Sequence, residues 1–265
     1  MKKYRAVFRW SFKMQIIWRF DVAMTVLATV GRIVAAWILW RAIFAGEARV
    51  GGFTFDAMLS YYIASSFLAS LDMSRQISGE VSYLIKDGGF SKHMVTPMNP
   101  FGFFGSMIAG ESAFHLTFSL LAAALCAALL HIRIALAPDA ARLLLGAGMV
   151  LMGLVCMAAY HYCVGILAFK FVEIGFFLHV QGCLLEFATG ALVPLSLLPR
   201  AIAGALRFLP FTHVVFTPAM LLTGQAGLRE GLFGLAVLAA WTAALVFGGQ
   251  ALYTRLRTRY EGVGI

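Results

Sequence analysis

The chain has 265 residues, of which 61% are hydrophobic and only 12% charged, and its mean hydropathy is +0.86. A soluble domain averages roughly 45–50% apolar and about 25% charged residues. An ordinary soluble enzyme, a disordered chain and a disulfide scaffold are therefore excluded, and an integral membrane protein remains. The net charge of +9 fits cations that flank membrane spans, because no basic-aromatic nucleic-acid module stands outside the apolar runs. Cys126, Cys156, Cys163 and Cys183 all fall in apolar stretches without a CxxC pair. They read as small buried residues, neither a metal cage nor a disulfide framework.

Residues 1–20 are basic and aromatic. On a helix, Arg5, Arg9 and Lys13 share one face, and Tyr4, Val7, Phe8, Met14 and Trp18 share the opposite one. This predicts an amphipathic helix in the membrane interface, cations toward lipid phosphates and aromatics dipped inward. Six apolar runs follow, at about Val22–Trp40, Phe53–Leu71, Phe104–Leu130, Leu143–Phe169, Ile174–Leu195 and Gly231–Tyr253. They are continuous rather than alternating, which predicts an all-α polytopic protein with six transmembrane helices. The whole chain, 1–265, reads as a single transmembrane domain.

Two connections are not simple turns. Residues 72–103 are polar and contain Gly and Pro, with room for one or two short helices. Residues 194–229 are mostly apolar yet broken by Pro194, Pro199, Pro210 and Pro218, which suits re-entrant half-helices shielded by protein. Even span numbering puts both termini on one side with Lys2, Lys3, Arg5, Arg9, Lys13, Arg19, Arg75, Lys86, Lys92, Lys170, Arg255, Arg257 and Arg259. Arg41, Arg49, Arg133, Arg142, Arg200, Arg207 and Arg229 fall on the other side. The richer side is expected to be cytoplasmic.

Charges inside the spans are expensive and are candidate sites by default. Glu111 and His115 are i, i+4 in the third run and form a polar site in a pathway, or else Glu111, near the span end, meets headgroups or a basic neighbour. His179 and Glu186 lie two turns apart in the fifth run, and Glu186 is either a pathway group or half of a buried ion pair. Arg32, mid-span in the first run, either pairs with Glu186 or snorkels. His131, His161 and His213 have no partners at metal-ligand spacing, so no metal site is expected. No G-x-S-x-G is present for nucleophilic catalysis. The sequence also lacks a Walker A motif, and Phe247-Gly248-Gly249-Gln250 sits in an uncharged span where glycines favour close helix packing.

The run Gly190-Ala191-Leu192-Val193-Pro194-Leu195-Ser196-Leu197-Leu198-Pro199, then Leu209-Pro210-Phe211, Thr217-Pro218 and Leu222-Thr223-Gly224, resembles the closing part of an ABC-2 type transporter permease. Gly89-Phe90 followed by Met94-Val95-Thr96-Pro97-Met98-Asn99-Pro100 is similar to that family's stretch before the third span, with Thr96 where arginine is common. The resemblance covers essentially the whole chain. It implies the transmembrane subunit of an ATP-driven exporter in a bacterial cytoplasmic membrane, both termini inside. It also implies two copies of a cytoplasmic ATP-binding subunit, which would hold ATP and Mg, and a second permease, identical or related. This chain would itself bind no cofactor and catalyse no reaction.

Under that resemblance, residues 72–103 would couple to the ATP-binding subunit. Val81, Leu84 and Ile85 fall at i, i+3 and i+4, so a helix there carries an apolar stripe beside Lys86, with Gly88 and Gly89 to end it and Phe90, Pro97 and Pro100 beyond. A stripe away from lipid needs a protein groove to cover it, and the partner ATPase is the expected cover. The external segment would include Pro194, Pro199, Pro210, Phe211 and Pro218. The rival reading is an ion- or proton-coupled carrier using Arg32, Glu111, His179 and Glu186; six spans without an internal repeat count against it.

Overall fold

The computed structural model describes residues 2–129, 137, 139–171, 173–191 and 194–259. His131, Arg133, Leu192, Val193 and Gly262 lie outside the described residues. The described residues form eleven α-helices and short 3-10 turns, with no β-strand among them beyond an isolated Val50–Phe53 bridge. In order they are α1 (Lys2–Ile17), α2 (Arg19–Ile43), α3 (Phe55–Leu71), α4 (Arg75–Lys86), α5 (Ser91–Val95) and α6 (Pro100–Leu129). Then come α7 (Ala140–Gly165), α8 (Gly175–Ala188), α9 (Arg200–Leu206), α10 (Phe216–Leu222) and α11 (Leu228–Leu256).

Three stretches are long and apolar enough to cross a membrane, Ala23–Ile43, Ala140–Phe169 and Leu228–Leu256. They match the first, fourth and sixth predicted runs. A fourth crossing arises if α9 and the segment Phe211–Leu222, bent by 83°, count as one broken span. α6 has the length of a crossing, but α3, with 17 residues, and α8, with 14, do not reach the roughly 20 residues a bilayer core needs. The fifth predicted run is cut short by Gly190, whose φ of 77° is left-handed and ends the helix. Its carbonyl accepts a hydrogen bond from the buried Tyr61 hydroxyl at 2.7 Å.

α1 forms as predicted, but its apolar face is covered by protein. It lies along α6, which presents Gly102, Ser106 and Gly110 at four-residue spacing. A Cβ at Gly102 would sit 2.7 Å from the Tyr4 ring, and one at Gly110 would sit 2.5 Å from the Phe8 carbonyl oxygen. Small residues let the two backbones close on each other. Phe12 packs edge-on against Phe114 at 5.3 Å. The aromatics left open are Trp10 and Trp18, while Lys2, Arg5, Arg9 and Lys13 line the outer face.

α7 and α11 form the main pair of the bundle. On α11, Gly231, Gly234 and Gly249 allow close approach; a Cβ at Gly249 would lie 2.7 Å from Cys163 Sγ. Within the Phe247–Gln250 run Gly249 thus packs against α7, while Gly248 is exposed with open space around it. One apolar core joins α3, α7, α10 and α11 around Tyr61, Met149 and Leu238. A second joins α4, α6, α7 and α11 around Ile77, Phe104 and Tyr162.

The proline-rich segment is folded as the breaks suggest. Pro194, Pro199 and Pro210 each stand directly before a helical turn, at Leu195–Leu197, Arg200–Leu206 and Phe211–His213. Their fixed φ suits a helix start and their missing N–H is not needed there. Pro218 sits in the first turn of α10. His213 fastens the segment from within: its ring nitrogens meet the Thr217 hydroxyl at 2.8 Å and the Arg207 carbonyl at 2.9 Å.

Candidate functional site

A cavity of about 580 Å³ opens between α2, α3, α7 and α8, with the start of α4 at one end. Its α3 wall is Tyr62, Ser66, Ala69 and Asp72, which recur at three- or four-residue steps on one helix face. Its α2 wall is Arg32, Ala35, Ala36 and Leu39, again one face. The cavity brings together two residues distant in sequence, Arg32 and Glu186, but does not pair them. Glu186 instead accepts from Arg75 Nη2 at 3.3 Å, and both side chains are about half exposed. Of the two readings of Arg32, pairing with Glu186 or snorkelling, the first is corrected on that ground. Among the described residues, Arg32 Nη2 reaches only the Thr29 hydroxyl, at 3.5 Å.

α4 is held at this end of the cavity by polar groups that sequence reading passed over. Asp72 accepts from the Ser74 backbone N–H at 3.0 Å and from its hydroxyl, an Asx turn that starts α4. Burial pushes the Asp72 carboxyl above its ordinary range; the Ser74 hydrogen bonds and the Arg75 charge act against this. Ser78 Oγ meets His161 Nδ1 of α7 at 3.2 Å, with both residues buried. The sequence marks Arg75 only as a flanking cation and does not tie Ser78 to His161, because the partners of Arg75 and Ser78 lie on other helices.

His179 and Glu186 share a shallow pocket with Arg75 on the outer side of α8, and His179 is exposed. Glu111 and His115 lie elsewhere, at the α1–α6 seam, and line none of the cavities described. Glu111 is buried, with one oxygen accepting from Ser11 at 3.3 Å and the other without a partner among the described residues. The headgroup contact offered for it is corrected: its neighbour is a helix.

Residues 72–103 also fold differently from expectation in one respect. Gly88, with φ of 79°, ends α4, and Phe90 N–H returns to the Leu84 carbonyl at 2.9 Å. The apolar stripe exists, but this chain covers it. Val81 and Phe90 are fully buried and Ile85 nearly so, in the core with Ile166 and Tyr253. A Cβ at Gly165 of α7 would come within 2.9 Å of Val81 Cβ, so α4 presses directly on α7. Leu84 is half-buried against Gly89. The stripe is therefore not open to a partner.

What this segment does expose is its outer face, with Tyr83 64% and Val95 83% accessible. Lys86 pairs with Glu173 of the α7–α8 connection at 2.5 Å. That contact and the Gly175 N–H hold the Glu173 carboxyl below its ordinary range. Burial raises Glu80 and lowers His93, with Lys92 acting on both. The exposed Pro97 gives its carbonyl to Lys3 of α1. Asn99 takes the Tyr4 hydroxyl on its backbone N–H and donates to Gln250 of α11, both at 3.2 Å.

A bundle of apolar helices around a charged cavity, with a short polar-capped helix at its mouth, has the make-up of a membrane transport permease. The family comparison agrees: the model of the ABC-2 family transporter protein matches residues 30–264. The chain belongs to that family. The match leaves out α1 and the first part of α2. No curated protein matches the chain.

Proposed function

We propose that this chain is the transmembrane subunit of an ATP-driven exporter. A separate ATP-binding subunit, present in two copies, supplies the energy, and a second permease completes the path. α3, α6 and α8 would complete six crossings with α2, α7 and α11, both termini facing the cytoplasm of a bacterial cell. Supporting this reading beside family membership is one observation, the two-faced α4. Its inner face is sealed into the core through Ile77, Val81 and Ile85, while its outer face presents Tyr83 to solvent. Exposed aromatics at the centre of a patch are typical anchors for a protein partner.

The test is reconstitution. The chain is co-expressed with the ATP-binding subunit and the permease encoded beside it, and the complex is purified and placed in vesicles. A stable complex whose ATP hydrolysis responds to this chain, and vesicles that move cargo only with ATP, are expected. Transport that runs on an ion gradient without ATP would replace this reading with a carrier.

A further inference from the structure

We infer that the cavity binds an anionic amphiphile, its negative group on Arg32 and its apolar part along Ala35, Ala36 and Leu39. This rests on the transport reading and names the class of cargo. A volume of about 580 Å³ lies within the roughly 300–1,000 Å³ of small-molecule sites. Arg32 stands one residue short of the middle of the Ala23–Ile43 stretch, so each end is about 15 Å away at 1.5 Å per residue. Snorkelling serves cations near helix ends and does not serve this one. A guanidinium carries five donors, and among the described residues it reaches only the Thr29 hydroxyl, which itself donates to the Thr25 carbonyl at 2.9 Å.

The acids on the same walls are already engaged. Glu186 holds Arg75, and Asp72 holds Ser74. Arg32 is therefore the cavity cation with no acid of its own among the described residues. Beyond it, the α2 face turns apolar for two turns toward Trp40, which closes on Tyr62 at 5.8 Å between ring centroids. An anion at mid-span with a chain running toward that aromatic end satisfies both features. A cationic amphiphile would meet Arg32 as a like charge.

The experiment uses the full chain in nanodiscs of zwitterionic phosphocholine lipid, titrated calorimetrically with dodecyl phosphate or dodecyltrimethylammonium. The saturable heat of dodecyl phosphate should report affinity at least about tenfold above that of the cation, the scale of one charge-assisted hydrogen-bonded contact. Arg32→Gln should lose about that factor and Arg32→Lys should keep most of it. Arg41→Gln, whose cation lies over Trp37 at the far end of α2, should change nothing. Equal affinity for the two probes, or full affinity in Arg32→Gln, overturns the inference. If Arg32→Gln does not fold, the two probes on the unaltered chain still decide. Binding is read on the permease alone. A chain that binds dodecyl phosphate through Arg32 yet recruits no ATPase refutes the ATP-driven reading and leaves this one standing.

Discussion

Val81→Asp and Tyr83→Asp place the same carboxylate two residues apart on α4 and should have opposite consequences. Val81 is 0% exposed and faces Gly165 across the α4–α7 seam, where no space remains for relaxation. Replacing it forfeits about 1.5–3 kcal/mol of apolar burial. It also sets an unpartnered polar group among Ile77, Ile166 and Tyr162, at about 2–7 kcal/mol. The combined loss, on the order of 4–10 kcal/mol, is comparable with the whole stability of a typical domain. Tyr83 is 64% exposed, so its replacement should shift stability by no more than about 0.5 kcal/mol. Size-exclusion profiles and thermal melts in detergent should therefore separate a collapsed Val81→Asp from an intact Tyr83→Asp. Under the proposed function, Tyr83→Asp should also weaken capture of the ATP-binding subunit about tenfold, as loss of an anchoring aromatic does. A well-folded Val81→Asp would refute the burial argument, and undiminished capture by Tyr83→Asp would refute the outer-face assignment.

Gly110→Val should prise α1 from α6, since its first carbon would meet the Phe8 carbonyl at 2.5 Å; faster proteolysis of α1, with a loss of about 1–3 kcal/mol from overpacking, would show it. His93 titrates below its ordinary value of 6.5 because burial and Lys92 disfavour its charged form. The unfolded segment then binds protons first, so local stability is full above about pH 6.5 and falls as pH drops through the folded value; hydrogen exchange of α5 should quicken on that descent, and His93→Phe should abolish the effect. Glu186→Gln breaks a half-exposed pair with Arg75 worth about 0–1 kcal/mol, so the melting temperature should hold while transport changes. In a cysteine-free background, Ala48→Cys should label from outside intact cells and Ser91→Cys only after permeabilisation; the reverse pattern would invert the topology.

Legibility in the sequence followed the physics each pattern encodes. α2, α7 and α11 are plain apolar runs, and hydropathy alone finds them. Gly88 and the four prolines of residues 194–229 act locally, so the end of α4 and the breaks in that segment were readable too. Apolarity does not reveal where Gly190 turns left-handed, so the fifth run was drawn too long. An amphipathic stripe does not say whether lipid, a partner or the same chain covers it. For α1 and α4 the answer is the same chain. The overlooked signal was small residues at matching intervals, Gly102, Ser106 and Gly110 opposite α1 and Gly165 opposite Val81. The polar ties of the cavity were hidden for a different reason. Arg75 and Glu186, or Ser78 and His161, are separated by most of a helix bundle in sequence, and only packing brings them together.

α4 belongs to two structures at once. Arg75, Ser78, Val81 and Ile85 occur at three- or four-residue steps, so one helix face carries the ion pair to α8, the hydrogen bond to α7 and the two buried aliphatics. α7 and α8 are also walls of the cavity, through Met157 and His161 and through Leu185 and Glu186. The face of α4 is thus in direct contact with two of the cavity's walls. The apolar seam resists separation far more than the half-exposed pair does, because a surface ion pair contributes about 0–1 kcal/mol and each buried aliphatic about 1.5–3 kcal/mol. A rotation of α4 would therefore break the Arg75–Glu186 pair before it opened the Val81–Gly165 contact. The clamp of residues 97–99 by Lys3, Tyr4 and Gln250 ties the same segment to α1 and α11. Both polar ties, at the cavity and at the clamp, lie outside the apolar seam that holds the helix in place.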